Sequence, residues 1–87
     1  MTIELHPNFK KSFKKRLAGN PKLVQKFAER LELFKQDPKS ALLKNHGLRG
    51  TKVGLRAFAI TGDIRVVYEQ TDSGIVLYDI GTHNQVY

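Results

Sequence analysis

Eighty-seven residues without a cysteine leave room for one domain, residues 1–87, stabilised by apolar packing alone, with no disulfide framework and no thiolate metal site. No stretch has the length of a signal-peptide core or a membrane span, which predicts a soluble, cytoplasmic protein with no membrane partner. The net charge of +7 is unevenly placed: residues 1–49 hold 12 basic and 4 acidic side chains and residues 50–87 hold 3 and 4, so the N-terminal half offers a field suited to nucleic acid or to an acidic protein.

Thr2-Ile3-Glu4-Leu5-His6 alternates apolar and polar residues, the pattern of a short half-buried strand that Pro7 ends. Phe9, Phe13 and Leu17 then recur every four residues among Lys10, Lys11, Lys14, Lys15 and Arg16, which predicts an amphipathic helix with a cationic outer surface. Gly19-Asn20-Pro21 ends that helix, caps a second and supplies its first turn. Leu23, Val24, Phe27, Leu31 and Phe34 share one face of the second helix, which stops at Asp37-Pro38. The connection from Pro38 to Gly50 is polar and cationic, carrying Lys39, Lys44, His46 and Arg49 despite Leu42 and Leu43, and it could fold over the sheet.

The remaining residues read as a three-stranded meander over residues 53–60, 64–68 and 75–80, with tight turns at Thr61-Gly62-Asp63 and Thr71-Asp72-Ser73-Gly74, where glycine supplies positive φ and side-chain oxygens bond the backbone. Two apolar helix stripes must be buried, and one face of a small antiparallel sheet is available to bury them. The expected fold is therefore α+β in two layers, the N-terminal strand joining a sheet edge. Arg65 lies on the central strand, on the opposite, exposed face.

A chain with this charge, a central-strand arginine and histidines at 46 and 83 has the inventory for RNA cleavage without a cofactor. A base must deprotonate the ribose 2′-OH, cations must stabilise the charge on the phosphorus oxygens, and an acid must protonate the leaving 5′-oxygen. Imidazole serves as base or acid near neutrality, and a guanidinium fork fits phosphate oxygens. His46, Arg65 and His83 meet these needs, Asp63 can orient an imidazole or act as base, and Lys44, Arg49, Lys52 and Arg56 are available to backbone phosphates. Ordinary roles stand beside these. His83 is also a polar residue near a terminus, His46 a loop residue, Asp63 a turn former, and Arg65 a cross-strand partner for Asp79 or Glu69. Tyr87 either stacks on a base or covers the core, and His6, beside Pro7, is structural.

The strand, the basic helix pair and the segments KNHGLRG, ITGDIRVVYE and YDIGTHNQVY resemble, across essentially the whole chain, the RelE/ParE superfamily of small toxins from type II toxin–antitoxin systems, especially its RelE, YafQ and YoeB-like ribonucleases. That resemblance implies a microbial-ribonuclease-like fold, cleavage of mRNA in the ribosomal A site, and an acidic antitoxin that wraps the toxin and through which any contact with operator DNA is made. It implies catalytic roles for His46, Asp63, Arg65 and His83 and a contact role for the terminal aromatic Tyr87. Where similar toxins carry a histidine before the acidic turn this chain has Ala59, and an aromatic position after it is Ile64. The same fold also accommodates a ParE-like toxin that binds gyrase, or a module that only binds an antitoxin and regulates; a double-stranded-RNA-binding module fits the basic helices but gives no reason for the histidine-bearing tail.

Overall fold

The computed structural model describes residues 1–87. Strand β1 (Thr2–Leu5) leads into helix α1 (Pro7–Arg16) and helix α2 (Pro21–Gln36). A two-residue strand β2 (His46–Gly47) precedes β3 (Arg56–Ala59), β4 (Ile64–Gln70) and β5 (Gly74–Thr82), and a single turn of helix, α3 (His83–Val86), closes the chain. No helix is long and apolar enough to cross a membrane.

The helix boundaries follow from capping chemistry. His6 caps α1 through Nδ1, which accepts the Asn8 N–H at 3.1 Å, with Pro7 in the first turn. Its ring lies 4.7 Å from that of Tyr78, so His6 is a structural cap. Asn20 Oδ1 accepts the Leu23 N–H at 3.3 Å, and Pro21 opens α2, as the Gly-Asn-Pro sequence predicts.

The five strands run in the order β1-β5-β4-β3-β2. All neighbours are antiparallel except β1 and β5, which pair parallel from Thr2 opposite Gly74 to Leu5 opposite Leu77. The sheet is thus mixed and not purely antiparallel, because the two strands are separated by nearly the whole chain and both helices make the crossover. Gly74 permits this pairing, since a Cβ there would overlap the Thr2 carbonyl. Beyond Leu5 the outer edge of β5 is served by α1: the Asn8 amide donates to Tyr78 O at 2.9 Å, and Arg16 donates to Ile80 O at 3.0 Å and Asp79 Oδ1 at 3.2 Å. Asp79 therefore pairs with Arg16 and not with Arg65.

Phe34 stacks on Phe58 at 4.9 Å and meets Tyr68 edge-on at 5.1 Å, joining α2 to the two central strands. Each such buried aromatic contributes on the order of 2 kcal/mol through burial. Phe9, Phe13 and Phe27 form a second aromatic group between α1 and α2.

Three local expectations change. Gly62 and Gly74 do not adopt positive φ; the β3–β4 turn is closed by Thr61 Oγ1, which accepts the N–H groups of Asp63 and Ile64. Positive φ occurs instead at Gly50 and Gly54, whose turns delay the start of β3 to Arg56 and leave Val53 exposed. The sheet face away from the long helices is covered and not bare: Ala57, Ala59 and Val67 are buried there, and Arg65 is half-buried beneath the C-terminal turn.

Candidate functional site

Three segments distant in sequence converge at one end of the sheet. His46 stands on β2, held against Ala57 of β3. The chain then turns through Arg49 and a short helical turn, Gly50–Lys52, and the Leu48 N–H donates to Leu55 O at 2.9 Å to close the excursion. His83 and Tyr87 come from α3, which the buried side chain of Val86 anchors. Gln85 Oε1 also accepts the Thr82 N–H at 2.8 Å, which ties the turn back to the end of β5. Gln85 and Arg16 close over Gly81, where a Cβ would lie 2.6 Å from Gln85 Oε1 and 2.8 Å from an Arg16 nitrogen, so both side-chain ends would have to shift for a larger residue.

The resulting cleft, about 380 Å³, is lined by His46, Arg49, Thr51, Lys52, His83 and Tyr87 with intervening backbone. Tyr87 organises it. Its ring meets His83 edge-on at 4.5 Å and His46 edge-on at 6.2 Å. Arg65, opposite Ala59 and Gly81 in the sheet, reaches Tyr87 from below, and one of its terminal nitrogens donates to Thr61 O at 2.7 Å, which fixes the guanidinium in place. Burial pushes the Tyr87 phenol above its ordinary pKa of 10.0, while the charge of Arg65 and its hydrogen-bonding reach to the phenol oppose that rise.

The two imidazoles are both exposed, but only one has its tautomer set. His46 Nδ1 lies 2.9 Å from Lys44 O, and because a carbonyl only accepts, the hydrogen sits on Nδ1, which leaves Nε2 of the neutral ring as the nitrogen with a lone pair on a residue that lines the cleft. Lys44 adopts a left-handed backbone, φ 48°, an arrangement that costs a non-glycine residue about 1 kcal/mol.

The residues singled out in the sequence are distributed as follows. His46, His83, Arg49, Lys52 and Tyr87 share the cleft, with Arg65 against Tyr87. Asp63 is exposed in the β3–β4 turn, its carboxylate without hydrogen bond or ion pair, and does not line the cleft. Lys44 and Arg56 line a second cleft. Asn45 and Thr51 were not foreseen. Asn45 Oδ1 accepts both Tyr68 Oη–H at 2.9 Å and Arg56 Nε–H at 3.1 Å, tying the residue before His46 to the central strands. An asparagine beside a loop histidine carries no such signal in one dimension. No group of three or more histidine, aspartate or glutamate side chains arranged to hold a metal ion forms in the chain.

Among solved structures, YafQ from Escherichia coli superposes with a TM-score of 0.82 at 25% identity, over 99% of this chain and 97% of its own. A copper-bound mutant toxin from Helicobacter pylori gives 0.78 at 25% identity, over 100% and 99%. The E. coli DinJ–YafQ complex gives 0.76 at 24% identity, over 99% and 97%. No curated protein sequence matches. The family model for the bacterial toxin of type II toxin–antitoxin systems, YafQ, matches residues 1–87, and the chain belongs to that family of toxins.

Proposed function

We propose that this toxin is an endoribonuclease that cuts mRNA on the ribosome in the cytoplasm and so blocks translation, and that an acidic antitoxin holds it in check. The observation that carries the nuclease reading is the position of Tyr87, whose ring meets His83 and His46 and whose phenol meets Arg65. Two imidazoles thereby line one cleft, with the Arg65 guanidinium behind the tyrosine.

In the scheme this arrangement supports, His46 Nε2 takes the proton from a ribose 2′-OH, and that oxygen attacks the adjacent phosphorus. Arg65, Arg49 and Lys52 stabilise the charge that builds on the non-bridging oxygens. His83 gives its proton to the departing 5′-oxygen, leaving a 2′,3′-cyclic phosphate and a free 5′-hydroxyl. The open lone pair of His46 is the ground for making it the base, which leaves His83 as the acid. Asp63 has no part in this scheme. Thr51 and Tyr87 are placed to touch the ribose or a base.

The partner half of the reading rests on charge. Of the 15 lysine and arginine side chains only Arg16 and Lys35 have a carboxylate within salt-bridge distance, so the surface is unneutralised. The E. coli relative was captured with DinJ, and an acidic chain that folds on binding suits the present surface.

Induction of the wild type should arrest growth and leave ribosome-associated transcripts cut, as mapped by primer extension, and His83→Ala should abolish both. Arrest with intact transcripts and an induced DNA-damage response would reject the nuclease and favour a gyrase-binding toxin.

A further inference from the structure

The second cleft, about 700 Å³, lies between the Pro38–Asn45 segment and the β4–β5 turn, and the nuclease scheme makes no use of it. Arg56, on β3 opposite Tyr68, is one of its lining residues. Arg56 Nε donates to Asn45 Oδ1 at 3.1 Å and to Tyr68 Oη at 3.3 Å, which fixes the plane of the guanidinium. Its terminal nitrogens have no acceptor and no carboxylate nearby. Every deeply buried side-chain nitrogen and oxygen in the chain has a partner, so these unpaired nitrogens are not fully enclosed, and Arg56 lines the cleft. Lys39 and Lys44 line the same cleft, and its one acid, Asp72, lies in the turn.

From this we infer that the cleft is the docking site of an acidic peptide segment from a partner protein, one carboxylate of which takes the Arg56 fork with Lys44 beside it. A half-buried guanidinium held flat by its own neighbours and lacking an anion is pre-organised for a bidentate carboxylate, since little freedom remains to be lost on binding. The cleft is far larger than one small anion and within the range of sites that enclose larger ligands. RNA fits it less well. Phe34 and Tyr68, the aromatic side chains that line it, are 3% and 1% exposed and offer no face on which a base can stack. The two clefts share no lining residue, His46 and Gly47 belonging to one and Lys44 and Asn45 to the other. The inference rests on the partner half of the proposed function and is independent of the nuclease half.

The test is a titration of the ¹⁵N-labelled full chain with a short synthetic peptide of Glu, Asp and Leu, with a matched peptide carrying Lys in place of the acids, and with a single-stranded oligoribonucleotide. The acidic peptide should move the Arg56 Nε–H signal and the amides of Asn45, Thr71 and Ile75, and the basic peptide should not. Lys44→Glu, an exposed change whose fold the same spectrum verifies, should weaken binding about tenfold, and Arg56→Lys, which keeps charge but loses the fork, should weaken it too. Peptide shifts confined to other surfaces, or an oligoribonucleotide that binds at Arg56 and displaces the peptide, would overturn the assignment. A cognate antitoxin that binds wild type and Lys44→Glu equally would overturn the site and leave the partner reading standing. No antitoxin binding by the wild type would reject the partner reading itself.

Discussion

The imidazole of His46 gives its Nδ1 hydrogen to the carbonyl of Lys44, 2.9 Å away, and the residue that supplies that carbonyl sits in a left-handed backbone conformation. A local strain and a tautomer are thereby linked, the first placing the acceptor that fixes the second. If His46 is the base, the rate requires its neutral form, and the acid role of His83 requires the protonated form. The pH dependence of kcat/KM should then be bell-shaped. His46→Gln should remove the acidic limb and His83→Gln the alkaline limb, each lowering the rate about a hundredfold to ten-thousandfold. An unchanged profile in either variant would remove that histidine from its role.

The strain at Lys44 has its own consequence. Glycine adopts φ 48° without a Cβ clash, so Lys44→Gly should match or exceed the wild type in urea denaturation, gaining up to about 1 kcal/mol less the added entropy of the unfolded chain. A loss of more than this gain would show that the conformation is not strained.

Tyr87 reports on Arg65. Burial raises its pKa and Arg65 lowers it, so Arg65→Gln should move the phenol titration to still higher pH, read from its ring carbon signal by NMR. A raised phenol pKa favours the neutral form in the folded state. Its stabilising effect is therefore complete below pH 10.0 and is lost as the pH climbs through the raised value. A downward shift in the variant would place Arg65 away from the phenol.

Gly74→Ala forces a Cβ into the main chain of Thr2, so β1 must leave β5 or both must shift. The expected loss is about 2–4 kcal/mol in chemical denaturation, with faster hydrogen exchange at the amides of Thr2 and His6, which donate to Ser73 O and Leu77 O. Unchanged exchange at those two amides would contradict the parallel pairing.

Arg16→Ala takes the ion-pair partner from Asp79, whose carboxylate keeps only the Ile80 N–H, and a donor from the Ile80 carbonyl, at the point where β1 no longer covers β5. The pair is partly exposed, so the loss should be about 1–2 kcal/mol, and a double-mutant cycle with Asp79→Asn should show coupling between the two. Additive losses would mean the ion pair is incidental.

Local rules made much of the fold readable along the chain. Periodicity every four residues placed Phe9, Phe13 and Leu17 on one face, and Asn20 and Pro21 announced the second helix, because capping and amphipathicity act over a few neighbouring residues. Glycine misled where the relevant contact was distant: Gly74 is needed for the passage of the Thr2 main chain and not for its own φ.

The identity of the chemical groups, two imidazoles and a strand arginine among unpaired cations, was determined by sequence alone. Their grouping was not. Lys44 and His46 are two residues apart yet line different clefts, while His46 and Tyr87, at distant points in the chain, face each other across one cleft. Residue type is a local property. Which residues share a cleft depends on strand order and on the side of the sheet to which each side chain is turned, and only the folded chain decides both.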